Sequence, residues 1–315
     1  MAILSGTERD LYVRKYSDAI DVALRQAGGL LTQAVSIEPG VMGDRTIFKR
    51  FGDVSDATEN TVRFNPIEFS QINSEARYVT PKLLDNGVHI DPLDLLRMSD
   101  SVNPEIVAAI TNSIRKQEDK IILAAMGGTA AREVDGSASN ASFDSNQTIA
   151  QDVNTYAATT LSGDTALHEG KIQNALLKLE QNFVDLSAED VFVILTAKQA
   201  AALRTRISTL GWSRNDFIGR LPLNVRGAVP ALSGFMGCNY ILYQPLGDTD
   251  QLVSGDEYVY VTTRPAVKMG VWKPMEVTID KDMTQRGHPD RIYAQETVGA
   301  VRMDESRIVR IECDV

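Results

Sequence analysis

The side chains that could do chemistry are few in this sequence, and they stand far apart. None of the three histidines, His89, His168 and His288, lies in the H-x-x-x-H spacing that lets two imidazole rings share one zinc ion. The two cysteines, Cys238 and Cys313, are too widely separated for a metal site, and they fit small buried hydrophobic residues of a reducing compartment. The sequence therefore predicts no catalytic, cofactor-binding or metal-binding residues and no enzyme.

Glycine and acidic residues give no stronger signal. Neither Gly127-Gly128 nor the glycine pair at 234–237 is followed by the Gly-Lys-Ser/Thr of a phosphate-binding loop, and no G-x-S-x-G motif occurs. Asp85, Asp91 and Asp94 are close in sequence but do not follow the spacing of a calcium-binding loop. The common signatures of hydrolases, nucleotide-binding enzymes and calcium-binding modules are therefore excluded.

Composition and charge narrow the remaining classes. The 315 residues are 43% hydrophobic, which is typical of a globular chain with a buried core, and no apolar run is long enough for a membrane span. The 42 acidic residues outnumber the 32 basic ones, which argues against sequence-specific nucleic-acid binding. A net charge of −10 is compatible with enclosing DNA without adhering to it. The nearest approach to a basic cluster, Arg45, Lys49 and Arg50, is predicted to be a solvated or intersubunit face.

The first elements along the chain are a helix and a ribbon. Apolar residues at helical spacing predict a helix over 7–35, which packs either on its own core or on a neighbour. Residues 45–98 are predicted to form strands and turns, with a ribbon over 77–98 that turns at Asp85-Asn86-Gly87, because Asn-Gly supplies the positive φ of a tight hairpin. A lone two-stranded ribbon is marginal in water, so we expect it to lie on its own body or on another subunit.

A long helix follows the ribbon. The spacing predicts it over 103–126, with Asn and Pro in its first turn and Gly127-Gly128 at its end. Its charged face is predicted to include Glu118 and Asp119. At ~1.5 Å per residue the helix would be on the order of 36 Å long, which suits the spine of a domain.

The remainder is predicted to mix helices and strands without the regular alternation of a doubly wound parallel sheet, so the fold class is α+β. Residues 127–165, rich in small and polar residues, are predicted to form a long surface loop. A helix over 166–183 carries Phe183 on its apolar side, and Thr196 caps a helix over 197–207. Strands are predicted over 191–195, 240–243, 258–262, 267–272, 275–279, 291–300 and 307–313.

This order of elements resembles the major capsid protein of tailed double-stranded DNA bacteriophages, the Hong Kong 97-like capsid fold, which also forms encapsulin shells. Residues 77–126 are similar to the extended loop and spine helix of that family. Residues 191–206 and 232–241 resemble segments of its axial domain, and 291–311 resemble the strands that return to its peripheral domain. The resemblance spans nearly the whole chain and rests on order and spacing.

The resemblance implies five successive parts. They are an N-terminal arm over 1–44, the start of the peripheral domain with an extended β-hairpin loop over 45–100, the rest of the peripheral domain over 101–188 with the spine helix over 103–126, an axial domain over 189–272, and return strands of the peripheral domain over 273–315.

The resemblance also implies a function through geometry. Hexamers and pentamers of the chain would close into an icosahedral shell around double-stranded DNA, with the extended loop of each subunit lying over the next. The candidate intersubunit contact residues are Arg77, Lys82, Asp85, Gly87, His89, Asp91 and Arg97.

The partners that the resemblance implies are further copies of the chain, a separate scaffolding protein, a portal and DNA packaged without sequence specificity. A decoration protein is left open, and neither a cofactor nor a membrane is expected. The implied location is the virion capsid, after synthesis and assembly in the host bacterial cytoplasm.

Two properties vary within the family. Some members join the extended loop to a neighbouring subunit through a lysine–asparagine bond, and Lys82 is the one lysine over 77–98 that could serve, although an ordinary surface lysine is the simpler interpretation. Other members remove a segment that precedes the arm, and we expect no such cleavage here because few residues precede the first predicted strand.

Two other classes stay open. An encapsulin-type nanocompartment would share the fold and would hold enzyme cargo without a portal, tail or DNA. A soluble α+β enzyme or ligand-binding protein would need a deep pocket, and the missing site motifs and the exposed ribbon both argue against it.

Overall fold

The computed structural model describes residues 28–51, 59, 69, 74–90, 103–134, 137–152, 166–209, 225–226, 229–230, 235–244, 252 and 257–314. It confirms a mixed α+β fold. The helices are α1 (Asn103–Gly127), α2 (Glu169–Gln181) and α3 (Ala197–Thr209). The strands are β1 (Ser36–Pro39), β2 (Thr46–Phe51), β3 (Ser74–Val79), β4 (Lys82–Ile90), β5 (Ala130–Val134), β6 (Ser137–Ala141), β7 (Thr148–Ile149), β8 (Val191–Leu195), β9 (Val225–Arg226), β10 (Val229–Pro230), β11 (Asn239–Leu242), β12 (Glu257–Thr263), β13 (Val267–Lys281), β14 (Asp290–Arg302) and β15 (Ile308–Cys313).

The largest core surrounds the five-stranded sheet β11-β8-β12-β15-β7. β8 is buried along its whole length, as its wholly apolar sequence predicts. α2 and α3 add Ile172, Leu179 and Leu203 to this core. The Thr196 hydroxyl accepts a hydrogen bond from the Gln199 N–H at 3.3 Å, which confirms the predicted cap of α3.

Helix α2 differs from its prediction at both ends. Nδ1 of His168 accepts a hydrogen bond from the Gly170 N–H at 3.1 Å and caps the helix, so this buried histidine is structural. The helix ends at Gln181, and Phe183 lies beyond it with φ of 59°. The placement of Phe183 on the apolar side is wrong, because the chain turns into the left-handed region before the ring reaches the core.

The loop predicted over 127–165 is wrong for the described part of that segment, which contains β5, β6 and β7. β5 and β6 form an antiparallel pair in the sheet β2-β3-β5-β6. Their small residues have little strand propensity, but β5 pairs with β3, and Ala130 and Ala141 join a core with Phe48 and Val79. Tertiary pairing therefore overrides the local composition.

The sheet β1-β13-β14-β4 is built on two long strands. The strands predicted over 267–272 and 275–279 are one strand, β13, which continues through Pro274. β1 pairs with β13 only as far as Val271, so the proline follows the end of that ladder, where its missing N–H is tolerated.

β4 corrects the predicted ribbon. Residues 82–90 form one continuous strand beside β14, so Asp85-Asn86-Gly87 do not turn the chain. The antiparallel hairpin of this region is formed instead by β2 and β3, with Thr46 opposite Val79. Residues 91–102, which hold the rest of the predicted ribbon, lie outside the described residues.

Helix α1 confirms the predicted spine helix and is one residue longer than predicted. The Gly128 N–H donates to the Ala124 carbonyl at 2.9 Å where the helix ends. Glu118 and Asp119, predicted on the charged side of the helix away from its apolar stripe, are both buried.

The amino-terminal helix predicted over 7–35 falls mostly outside the described residues. Within 28–35 the chain forms a short 3-10 helix, Leu31–Ala34, and Gly29 has φ of 75°. The predicted α-helix is wrong for these residues, because the left-handed Gly29 breaks helical continuity.

Two compact units divide the described chain. The smaller contains residues 28, 83–90, 103–117 and 274–296, and the larger contains the other described residues. The core of the smaller unit joins Ile90 on β4, Ile110 and Ile114 on α1, and Ile292 and Ala294 on β14. None of the described helices combines the length and the apolar character of a membrane span.

Candidate intersubunit surface

The reactive side chains are structural where the chain is described. Burial raises the pKa of the Cys238 thiol to about 11 and that of the Cys313 thiol to about 12, so both stay protonated near neutral pH. No group of three His, Cys, Asp or Glu side chains among the described residues is placed to hold a metal ion. The candidate functional residues of the described chain are therefore those on its exposed surfaces.

Strand β4 is an exposed sheet edge. β14 is its one strand neighbour within the described residues, so its other side has backbone groups available for pairing. The candidates Lys82, Asp85, Gly87 and His89 are all exposed along this strand. Leu83 is also 61% exposed, which adds an apolar side chain to the edge.

Gly87 lies at a close approach between neighbouring strands, not in a turn. An ideal Cβ at this position would lie 3.2 Å from the Ile292 carbonyl oxygen and 3.2 Å from Cδ2 of Tyr293. The neighbouring Asn86 donates from Nδ2 to the Ser113 hydroxyl of α1 at 3.0 Å. β4 is therefore held closely against β14 and α1 within its unit, while its outer edge pairs with no other described strand.

His89 contacts the turn between β13 and β14. Its Nε2 lies 3.1 Å from Oδ2 of Asp282, and its side chain is 45% exposed. The pKa of the Asp282 carboxyl is lowered, first by hydrogen bonds from the Thr284 hydroxyl and N–H and to a smaller extent by His89. His89 is thus an exposed residue with one partner in its own unit.

Arg77 is the exception among the described candidates. It is fully buried, and its guanidinium lies 2.8 Å from the Glu75 carboxylate and 2.9 Å from that of Glu305. Its side chain is committed within its own unit, so it offers no surface to a neighbour. Asp91 and Arg97 lie outside the described residues.

The hairpin strand β2 offers a second exposed surface. Ile47 and Lys49 are exposed along it, while Phe48 between them is buried in the core, and Arg45 just before the strand is also exposed. The period of two places Ile47 and Lys49 on one face. Ile47 is 49% exposed, so an apolar residue stands between two cations there.

The burial of two charged residues was not predicted from the sequence. Asp119 stood in a charged run of α1, and its carboxylate instead accepts hydrogen bonds from backbone N–H groups. Arg302 lay between two predicted strands, and its guanidinium donates to the carbonyls of Met126, Gly128 and Ala141. No sequence pattern near either residue predicts its burial, because the hydrogen-bond acceptors or donors that it meets are distant in sequence.

The family model described as phage capsid protein matches residues 9–315. The chain belongs to this phage capsid protein family. The match covers both units. It favours a phage capsid subunit over an encapsulin subunit or an enzyme. No match was found among curated proteins.

Solved phage capsids share the fold of this capsid family member. The capsid of cyanophage P-SCSP1u has a TM-score of 0.67 and 11% identity, covering 98% of this chain and 94% of that chain. The capsid of Ralstonia phage GP4 has a TM-score of 0.65 and 10% identity, with coverages of 100% and 98%. The head structure of Helicobacter pylori bacteriophage KHP40 has a TM-score of 0.66 and 11% identity, with coverages of 100% and 99%. At these identities the likeness shows the fold alone.

A phage capsid protein acts as a structural subunit through surfaces that bind other copies. The described part of this capsid protein has an exposed strand edge at β4 and exposed residues on β2. The strand predicted to be part of a hairpin is this sheet edge.

Proposed function

We propose that this chain is the major capsid protein of a tailed double-stranded DNA bacteriophage, and that its hexamers and pentamers close into an icosahedral shell. The observation that carries the proposal is the match of the phage capsid protein family to residues 9–315. The fold shared with solved phage capsids supports it. The chain has no catalytic task in this proposal.

The contact between copies is proposed to involve the edge of β4. Lys82, Asp85, Gly87 and His89 are exposed there, and an open edge can pair with a further strand. Contact would also remove from water the apolar surface of Leu83. Many modest contacts of this kind make dissociation from a closed shell rare.

The proposed partners are a separate scaffolding protein, a portal and packaged double-stranded DNA, with a decoration protein left open. A net charge of −10 supports packaging without sequence-specific binding, because the chain carries no excess of cations to hold phosphates. The subunit is proposed to be synthesised and assembled in the host bacterial cytoplasm and to be located in the virion capsid afterwards.

Electron microscopy by negative staining, with light scattering, tests the proposal on the purified chain with and without its co-expressed scaffolding protein. Closed shells tens of nanometres across are expected. A single small species under all conditions would overturn the proposal. The contents of purified shells then separate the alternatives, because DNA supports the phage capsid and enzyme cargo supports an encapsulin-type compartment.

A further inference from the structure

Phe183 combines two unfavourable features at the end of α2. Its φ of 59° lies in the left-handed region that side-chain-bearing residues rarely adopt. Its side chain is 96% exposed, so the ring packs on little of the described subunit. Local strain that the surrounding structure maintains is typical of functional positions.

The surrounding structure fixes Phe183 in this position. The Phe183 N–H donates to the Glu180 carbonyl at 2.9 Å, and the Val184 N–H donates to the Leu179 carbonyl at 3.1 Å. Val184 is buried in the core of the large sheet, and Nδ2 of Asn182 donates to the Ser306 carbonyl at 2.9 Å. Both neighbours of Phe183 are therefore anchored, and the ring is directed into solvent.

An open groove with Leu176 and Leu177 in its lining lies on α2, which ends two residues before Phe183. It has a volume of about 460 Å³ and is lined by Gln173, Leu176, Leu177 and Glu180, which share one face of the helix. Glu180 is exposed, and so is Asp185 on the other side of Phe183. We name Phe183, this groove and the exposed carboxylates of Glu180 and Asp185 the α2 patch.

The α2 patch is acidic through Glu180 and Asp185, and Lys178 of the same helix is hydrogen-bonded elsewhere. Nζ of Lys178 donates to the Thr148 carbonyl at 3.1 Å and to the carbonyl of Asn146. The patch therefore presents apolar surface with negative charge around it. A ligand that fits it needs an apolar side chain flanked by cations.

The outer face of β2 has this complementary character. Ile47 is 49% exposed and shares a strand face with the exposed Lys49, and the exposed Arg45 directly precedes the strand. Both surfaces are exposed in the same subunit, so they do not contact each other there. A contact between them would therefore join two copies. Two different surfaces that meet in this way form a head-to-tail contact, which generates a closed ring when the rotation closes.

We propose that Arg45, Ile47 and Lys49 of one copy dock on the α2 patch of a second copy. The inference rests on the proposed shell function and names one contact that the shell would use. Ile47 would enter the groove beside Phe183, and the two cations would lie near Glu180 and Asp185. Docking buries the exposed Phe183 ring and gives its strained conformation a role.

The first test is the substitution Phe183→Asn. Asn tolerates a positive φ better than Phe, so the melting temperature of the isolated subunit should not fall. The yield of closed shells, counted by electron microscopy at fixed protein concentration, should fall about tenfold or more. Shells at the wild-type yield would overturn the inference, and so would a Phe183→Asn subunit that has lost its fold.

The second test exchanges charge across the contact. Glu180→Lys and Lys49→Glu should each reduce shell yield, and the double variant should recover it, because the pair is restored with opposite orientation. Lys198→Glu is the matched control, since Lys198 is an exposed lysine on α3 outside the contact, and it should not rescue Glu180→Lys. Equal rescue by both lysine variants, or by neither, would overturn the inference. A wild-type chain that never forms shells would instead overturn the proposed function.

Discussion

The carboxylate of Asp119 and the backbone of Leu31 are joined by a hydrogen bond of 2.9 Å inside the larger unit. The other carboxylate oxygen accepts from the Leu30 N–H at 3.2 Å, and Asp119 is fully buried. Burial raises the pKa of Asp119 above its ordinary 3.8, although hydrogen bonds from Leu31, Leu30 and Gly29 act in the opposite direction. One buried carboxylate thus anchors the segment that precedes β1 to the spine helix.

Replacing this carboxylate should loosen that segment. Asp119→Ala leaves the N–H groups of Leu30 and Leu31 without acceptors, so we expect the free energy of unfolding to fall by about 1–3 kcal/mol. Urea denaturation of the subunit measures it. Asp190→Asn is the control, because that side chain is 62% exposed and its loss should cost less than about 0.5 kcal/mol.

The same variant should change the pH dependence of stability. Because the folded-state pKa of Asp119 is raised, the folded chain binds this proton more tightly than the unfolded chain. Its contribution to stability is therefore greatest at low pH and declines as pH rises from 3.8 through the raised pKa. Asp119→Ala should lack that decline, and equal pH slopes for the variant and the wild type would contradict the assignment.

Two glycines should differ in their tolerance of a methyl group. An ideal Cβ at Gly299 would lie 2.7 Å from the Thr80 carbonyl oxygen, whereas a Cβ at Gly87 meets its nearest atoms at 3.2 Å. Gly299→Ala should therefore destabilise the subunit by about 1–3 kcal/mol, and Gly87→Ala by less. Thermal unfolding compares them, with the exposed Asp85→Ala as control. A lower melting temperature for Gly87→Ala than for Gly299→Ala would contradict this ranking.

Sequence patterns predicted the elements whose signals are local. The apolar stripe of α1, its glycine end, the wholly apolar β8 and the Thr196 cap were all recovered, because each depends on neighbouring residues. The pattern at Asp85-Asn86-Gly87 misled for the opposite reason. Asn-Gly indicates a turn locally, but Gly87 lies within a strand, close to Ile292 and Tyr293 across the sheet.

The exposure of the candidate contact residues could be predicted from the sequence only in part. The exposure of strand residues such as Lys82 and His89 could be predicted because their segment mixes polar and apolar residues. The burial of Arg77 does not, because it depends on Glu305 at the far end of the chain. Phe183 also could not be placed from helical spacing, since the spacing continues past the point where hydrogen bonds end α2.

The two native thiols should be unreactive in the folded subunit. Burial raises the pKa of Cys238 to about 11 and that of Cys313 to about 12, so at pH near 8 the thiolate fraction is on the order of one in a thousand or less. An aromatic disulfide reagent should label neither thiol under native conditions and both in denaturant. Rapid labelling of one thiol in the native subunit would contradict the buried placement.

Arg302 should be among the costliest residues to replace in the described chain. It is fully buried and donates to the carbonyls of Met126 at 3.0 Å, Gly128 at 2.6 Å and Ala141 at 3.1 Å. Arg302→Met keeps most of the apolar stem but leaves these acceptors unpaired, so we expect a loss of about 3–5 kcal/mol in the free energy of unfolding.

The comparison that isolates this effect is Arg264→Met. Arg264 is also an arginine in an ion pair, but its side chain is 52% exposed, so its replacement should cost less than about 1 kcal/mol. Arg302→Lys should fall between the two, because an ammonium group keeps the charge but cannot reach three carbonyls with a planar fork. Denaturant unfolding of the three variants measures the order. Equal losses for Arg302→Met and Arg264→Met would show that the buried guanidinium does not hold the carboxyl end of α1.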